Sequence, residues 1–322
     1  MSERFEHRPV MLDEIVDVFA PVPPGVLLDA TLGAGGHTEA LLERRPDLSV
    51  VGIDRDRDAL TAATARLERF GDRFHPVHAR FDDLRQIMHT DQIPRPAIDE
   101  GLSGALFDLG VSSPQLDRGD RGFSYRQDGP LDMRMDQEAA WSASDVVNGY
   151  GVDELTRVIR SYGDERFAAR IARAIVAARP IDSTVELASI VTAAIPAAAR
   201  RTGGHPAKRT FQAIRIEVNG ELDALPVALD AAIEATRPFG RIAVLSYHSG
   251  EDRIVKERFR TASGACDCPP DLPCVCGAVQ TVRLVRGVPK RPSAAEQAAN
   301  RRATSARLRV VERVEGDERE RR

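Results

Sequence analysis

Three acidic residues and one glycine-rich turn hold the most legible chemistry in this chain. The turn is Asp29-Ala30-Thr31-Leu32-Gly33-Ala34-Gly35-Gly36-His37, and it follows a short apolar run. Glycines at such a junction let backbone approach a ligand closely, and a helix beginning there offers unpaired N–H donors. Asp54 closes the next apolar run. An acidic side chain at that spacing can accept both ribose hydroxyls of a nucleoside. The glycines are spaced G-x-G-G rather than G-x-G-x-x-G, so S-adenosylmethionine fits better than a dinucleotide. The third acid is Asp108, in Phe107-Asp108-Leu109-Gly110-Val111-Ser112-Ser113-Pro114-Gln115. An oxygen there can accept an N–H of an exocyclic base amine, favour a pyramidal nitrogen and aim its lone pair at a methyl group. Capping the following turn is the alternative role.

The four cysteines all fall in Cys266-Asp267-Cys268-Pro269-Pro270-Asp271-Leu272-Pro273-Cys274-Val275-Cys276. Four thiolates spaced C-x-C-x5-C-x-C can surround one ion, and a sulfur tetrahedron suits zinc at about 2.3 Å per bond. We expect a structural zinc on Cys266, Cys268, Cys274 and Cys276; a flexible loop with reduced thiols is the alternative. Phe123 and Tyr125 stand in a Gly/Arg-rich stretch, where they either stack a splayed RNA base or fold back onto the core. Arg200, Arg201, His205, Lys208 and Arg209 form a basic run opening a helix, with Arg215 continuing one face. Such a run is either a solvated face or a phosphate-contacting patch. His248 follows a fifth apolar run and is expected to face the same crevice as Asp108.

The elements that position these residues alternate. Strands are expected at 26–28, 50–53, 74–81 and 105–107, separated by stretches of helical periodicity, which argues for a parallel sheet covered on both faces. The alternation stops at Leu116. Apolar stripes through Leu155–Tyr162, Phe167–Ala178 and Leu187–Ala194 then read as core-facing helices. A further helix is expected from Phe211 through Leu225, with Pro226 kinking it or starting the next. Strand character returns at 241–246, 281–286 and 306–311. The expected architecture is one α/β sheet, Rossmann-like, interrupted by a helical insertion at 118–217. The sheet domain would comprise 1–117 and 218–314, and 315–322 a charged tail.

Composition narrows the class. With 322 residues, 42% hydrophobic and 29% charged, the chain can bury a core. Forty-five basic against 49 acidic residues give a net charge of −4, which excludes wholesale coating by nucleic acid. Charge is locally concentrated nonetheless. Between Val279 and Val311 stand Arg283, Arg286, Lys290, Arg291, Arg301, Arg302, Arg307 and Arg309 against Glu296 alone. The opening MSERFEHRPVMLDE is too charged for a signal peptide, so a cytoplasmic location is expected and no membrane partner.

Several long motifs resemble the RsmH (MraW) methyltransferase family. They are His7–Leu12, Asp29–His37, Asp108–Asp117, Arg121–Tyr125, Asp128–Asp136 and His205–Arg215, and the resemblance runs from His7 to about Arg313. It implies a class I S-adenosylmethionine-dependent methyltransferase fold acting on N4 of a cytidine in the decoding centre of 16S ribosomal RNA, with the small ribosomal subunit as partner. Carried over by position, its cofactor contacts fall on Gly35, Gly36, His37, Asp54, Phe81, Asp108 and Gln115. Asp108 would be the catalytic residue, acting on the amine, the cofactor or both. Phe123, Tyr125, Arg134, Lys208, Arg209, Arg215 and His248 make up the expected RNA-facing set. Two departures stand out: Tyr247 where the family usually has Phe, and Gly250 where it usually has Leu. An assembly factor without turnover and a nicotinamide oxidoreductase are the competing functions, disfavoured by the intact Asp108 and by the glycine spacing.

Overall fold

The computed structural model describes residues 8–200, 204–266, 268, 275 and 277–315. They divide into two compact units, one up to Gly110 and again from Leu222, the other Val111–Glu221. The inserted unit therefore starts at Val111, earlier than the 118 suggested by the loss of strand periodicity.

The first unit is built on seven strands: β1 Gly25–Asp29, β2 Leu48–Asp54, β3 Phe74–His78, β4 Leu102–Asp108, β5 Thr236–Ser246, β6 Val282–Leu284 and β7 Arg307–Arg313. Their order is β3-β2-β1-β4-β5-β7-β6. The first five run parallel, whereas β7 is antiparallel to both β5 and β6. Side chains alternate between two buried cores. Leu28, Ile53, Phe107 and Val244 pack on one face; Leu27, Val50, Leu106 and Ala243 pack on the other. Burial on both faces is why these runs read as nearly continuous apolar stretches. Strand β3 ends at His78, so Phe81 lies beyond it in a short 3-10 turn rather than at the strand end. Helices α1 Leu12–Phe19, α2 Gly36–Arg44 and α3 Arg57–Leu67 flank this half of the sheet.

The second unit is helical. Helices Val152–Gly163, Ala168–Ala178, Thr184–Ala194 and Lys208–Asn219 close around Ile159, Ile171, Val191 and Ile214, all buried. The helix expected from Phe211 through Leu225 is broken, because Gly220 takes a left-handed conformation (φ 60°) and caps it. A new helix, Glu221–Ala235, starts there and contains Pro226 within it. Among the described residues no helix is long and apolar enough to cross a membrane.

Candidate active site

In open parallel sheets, ligands bind beyond the carboxyl ends of the strands where the strand order reverses. Here that point lies between β1 and β4. Asp29, Asp54 and Asp108 are the last residues of β1, β2 and β4, so three carboxylates share one edge of the sheet.

Asp54 is tied to the glycine turn. Its Oδ2 accepts the Gly33 N–H at 2.8 Å, and its Oδ1 the Asp56 N–H at 2.9 Å. Burial pushes this carboxyl above its usual range, while the two backbone N–H groups pull the other way. Gly33 (φ 52°) and Gly35 (φ 76°) are left-handed. The glycines play different parts. A side chain on Gly33 would meet nothing nearer than 4.0 Å, so its backbone faces open space. One on Gly35 would press Leu67 at 3.0 Å, and one on Gly36 would strike Pro9 at 2.6 Å. Gly35 and Gly36 thus allow close packing, and Gly33 is the residue that leaves room for a ligand.

Asp29 is 2% exposed, and burial raises its pKa to about 6, against the Thr38 hydroxyl and the His37 charge. The Thr38 hydroxyl donates to Asp29 Oδ2 at 2.7 Å. His37 is also buried. Its Nε2 donates to the Val10 carbonyl at 3.1 Å, and its Nδ1 lies 3.6 Å from Asp108 Oδ2. Nε2 is thus satisfied inside the protein, while Nδ1 faces Asp108 beyond hydrogen-bond distance.

Asp108 is the best-supported group in the site. Its backbone N–H donates to the Thr31 hydroxyl at 2.6 Å. The Tyr247 hydroxyl donates to its Oδ1 at 2.6 Å. Burial, reinforced by the Asp108 charge, keeps the Tyr247 phenol far above its usual pKa, so it stays a donor. Sequence reading marked Tyr247 only as a departure from a family pattern; its place one residue past β5 was the available signal. Phe81 is half-buried, with its ring set edge-on to Phe107 at 6.1 Å, and can still offer a face.

The remaining expected residues divide sharply. Gln115, in the second unit, is buried, and its side-chain carbonyl accepts the Ser112 N–H at 3.0 Å. Phe123 is 5% exposed and packed in the helical core, so its ring is not available to stack a base. Tyr125 stacks on His205 at 4.5 Å. Arg134 forms a two-pronged ion pair with Asp132 at 3.0 and 2.6 Å. Arg215 does the same with Glu221 at 2.8 and 2.9 Å. These two cations hold their own unit together instead of facing outward. Lys208 and Arg209 are exposed, Arg209 donating to the Asp164 carbonyl at 2.7 Å. His248 is the N-cap of helix Ser249–Ala262, its Nδ1 accepting the Glu251 N–H, while Glu251 accepts the His248 N–H in return. Its ring therefore caps the helix while also lining the pocket where β5 ends. Of the cysteines, Cys268 donates its N–H to Cys266 Sγ at 3.3 Å. Cys274 and Cys276 lie outside the described residues, among which no group of three potential metal ligands occurs.

A strand order of 3-2-1-4-5-7-6 with an antiparallel β7, combined with a G-x-G-G turn wired to an acidic β2 end, is the architecture of the Rossmann-like S-adenosylmethionine-dependent methyltransferases. Within that class, residues 4–314 match the MraW methylase family, and the chain belongs to it. It is 49% identical to the ribosomal RNA small subunit methyltransferase H of Symbiobacterium thermophilum over 98% of both chains. It is 52% identical to the protein of that name from Thermobifida fusca, over 96% of this chain and 93% of the other. An rRNA methylase of known structure from Streptococcus thermophilus aligns over 94% of each chain at 12% identity, with a TM-score of 0.40.

Proposed function

We propose that the protein transfers a methyl group from S-adenosylmethionine to N4 of a cytidine in the decoding centre of 16S ribosomal RNA. The observation that carries this reading is Asp108: a carboxylate at the end of β4, beside the nucleoside-binding turn, with one oxygen bonded to Tyr247 and the other turned toward His37. Family membership and the names of the relatives support the RNA substrate.

The residues present fit the cofactor. Asp54 has acceptor capacity left for ribose hydroxyls, Gly33 leaves its backbone open to approach, and Phe81 can cover a purine face. When bound, S-adenosylmethionine would supply an electrophilic methyl group on a sulfonium sulfur. Cytidine N4 is a poor nucleophile because its lone pair is delocalised into the ring. Asp108 accepts one N4–H, holds the nitrogen toward tetrahedral geometry and directs its lone pair at the methyl carbon. Transfer would form the N–C bond as the C–S bond breaks, and the surplus N4 proton would pass to water. The test is incubation with small ribosomal subunits lacking the modification, followed by nucleoside mass spectrometry. N4-methylcytidine supports the reading; cofactor binding without any label in RNA would leave an assembly factor.

A structural zinc on Cys266, Cys268, Cys274 and Cys276 is a separate proposal, resting on the spacing of the four thiols. Protein purified without chelator or metal resin should hold about one zinc per chain. A metal-free protein whose four thiols all react rapidly while folded would refute it.

A further inference from the structure

Beyond Asp108, on the side of β4 away from Asp54, a pocket of about 260 Å³ opens where β5 ends and β7 begins. Antiparallel pairing assembles it, since Ser246 lies opposite Arg307. Tyr247, Ser249, Arg291, Thr304, Ser305 and Arg307 line it. Four of these bear hydroxyls and two bear guanidinium groups, and no carboxylate is among the lining residues.

Two other arginines of this basic stretch, Arg283 and Arg309, are already neutralised. Arg309 pairs with Asp252 at 2.8 and 3.0 Å. Arg283 and Arg241 converge on Glu312. Among the described residues Arg291 and Arg307 have no ion-pair partner. Two uncompensated cations among hydroxyl donors, in a pocket without acidic groups, select an anion.

The position of the pocket says which anion. One wall is Tyr247, whose hydroxyl bonds Asp108, so a ligand in the pocket is one tyrosine side chain from the reacting amine. The cofactor-side carboxylates Asp29 and Asp54 close β1 and β2, across β4. We propose that this pocket binds a backbone phosphodiester of the RNA strand, with Arg291 and Arg307 as its contacts, and so sets the target base against Asp108. The inference rests on the RNA methyltransferase reading.

The test uses the full chain with Arg291→Ala, Arg307→Ala and the corresponding Lys variants. Binding of a fluorescent single-stranded RNA oligonucleotide of decoding-centre sequence is followed by anisotropy across a salt series. Methyl transfer to undermethylated small subunits and cofactor calorimetry accompany it. Each Ala variant should weaken RNA binding by about tenfold. Each should also flatten the slope of log affinity against log salt by about 0.7. KM for RNA should rise with kcat and cofactor affinity unchanged. Lys should restore most of the loss, because a phosphate contact needs charge more than fork geometry. Unchanged RNA affinity and salt slope would overturn the assignment, as would a loss of cofactor affinity in place of RNA affinity. If the wild type binds RNA through these arginines yet methylates none, the functional reading fails and the subsite stands. If it methylates RNA regardless of them, the subsite fails alone. A wild type that binds no RNA overturns both.

Discussion

Replacing Asp54 with Ala is expected to raise the dissociation constant for S-adenosylmethionine at least about tenfold. An ionised carboxylate offers about four acceptor sites. The Gly33 and Asp56 N–H groups take one on each oxygen, at 2.8 and 2.9 Å. One site per oxygen is left, which matches two ribose hydroxyls. Each hydrogen bond to a charged acceptor contributes about 1.5–3 kcal/mol, so losing both sets a ceiling of about 3–6 kcal/mol. Water entering the truncated site recovers part of that, and a tenfold effect, about 1.4 kcal/mol, is the floor. Asp54→Asn should lose nearly as much, because its amide NH2 must face either Gly33 N–H or Asp56 N–H and the turn loosens. The pH dependence has a defined sign. Burial raises this carboxyl above 3.8, and ribose binding needs it ionised. Wild-type affinity should therefore fall as pH drops toward the raised value, whereas the Ala variant should respond less. Titration calorimetry with S-adenosylmethionine at about pH 8 and about pH 5 measures both effects, with thermal unfolding of the ligand-free variants as the folding control. A folded Ala variant binding within about twofold of wild type would remove Asp54 from the site.

Tyr247→Phe removes the hydroxyl that donates to Asp108. It should lower kcat by about tenfold, or about 1.4 kcal/mol, while leaving cofactor affinity nearly unchanged; an unchanged kcat would show that the hydroxyl does not position Asp108. Asp29 provides a stability signature. Its folded pKa of about 6 stands above its ordinary 3.8, so the native state takes up a proton before the unfolded state does. Stability relative to Asp29→Asn should thus increase as pH falls from above about 6 to below about 4, by up to about 3 kcal/mol. Denaturant unfolding of the two proteins across that range checks it, and parallel pH curves would contradict the buried-carboxylate account.

The strands were legible because burial on both faces gives unbroken apolar runs, and each acidic site residue stands at the end of one. What escaped sequence reading were partners set by the fold. The apolar spacing through Phe211–Leu225 continues across Gly220, so periodicity alone could not locate the break that its left-handed backbone makes. Arg134, expected to face RNA from the family resemblance, and Arg215, expected from its basic run, pair with Asp132 and Glu221. His248 does line the pocket beyond β5, as expected of a cleft residue, but its capping exchange with Glu251 could not be read from the sequence. Gly250 also acquires a reason: a Cβ there would sit 3.2 Å from the His248 ring, so Leu at this position requires the ring to move. Arg307 could be singled out from its neighbours only through the pairing of β5 with β7 and the carboxylates that satisfy Arg283 and Arg309.

Single-turnover methyl transfer by Asp108→Ala reports whether Asp108 orients the reacting amine. With saturating S-adenosylmethionine and undermethylated small subunits, the rate of N4-methylcytidine formation should fall at least about a hundredfold. Both ligands should still bind, since the proposed RNA contacts Arg291 and Arg307 and the Asp54 carboxylate are left in place. An Ala variant that forms N4-methylcytidine at close to the wild-type rate would mean that Asp108 does not orient the amine.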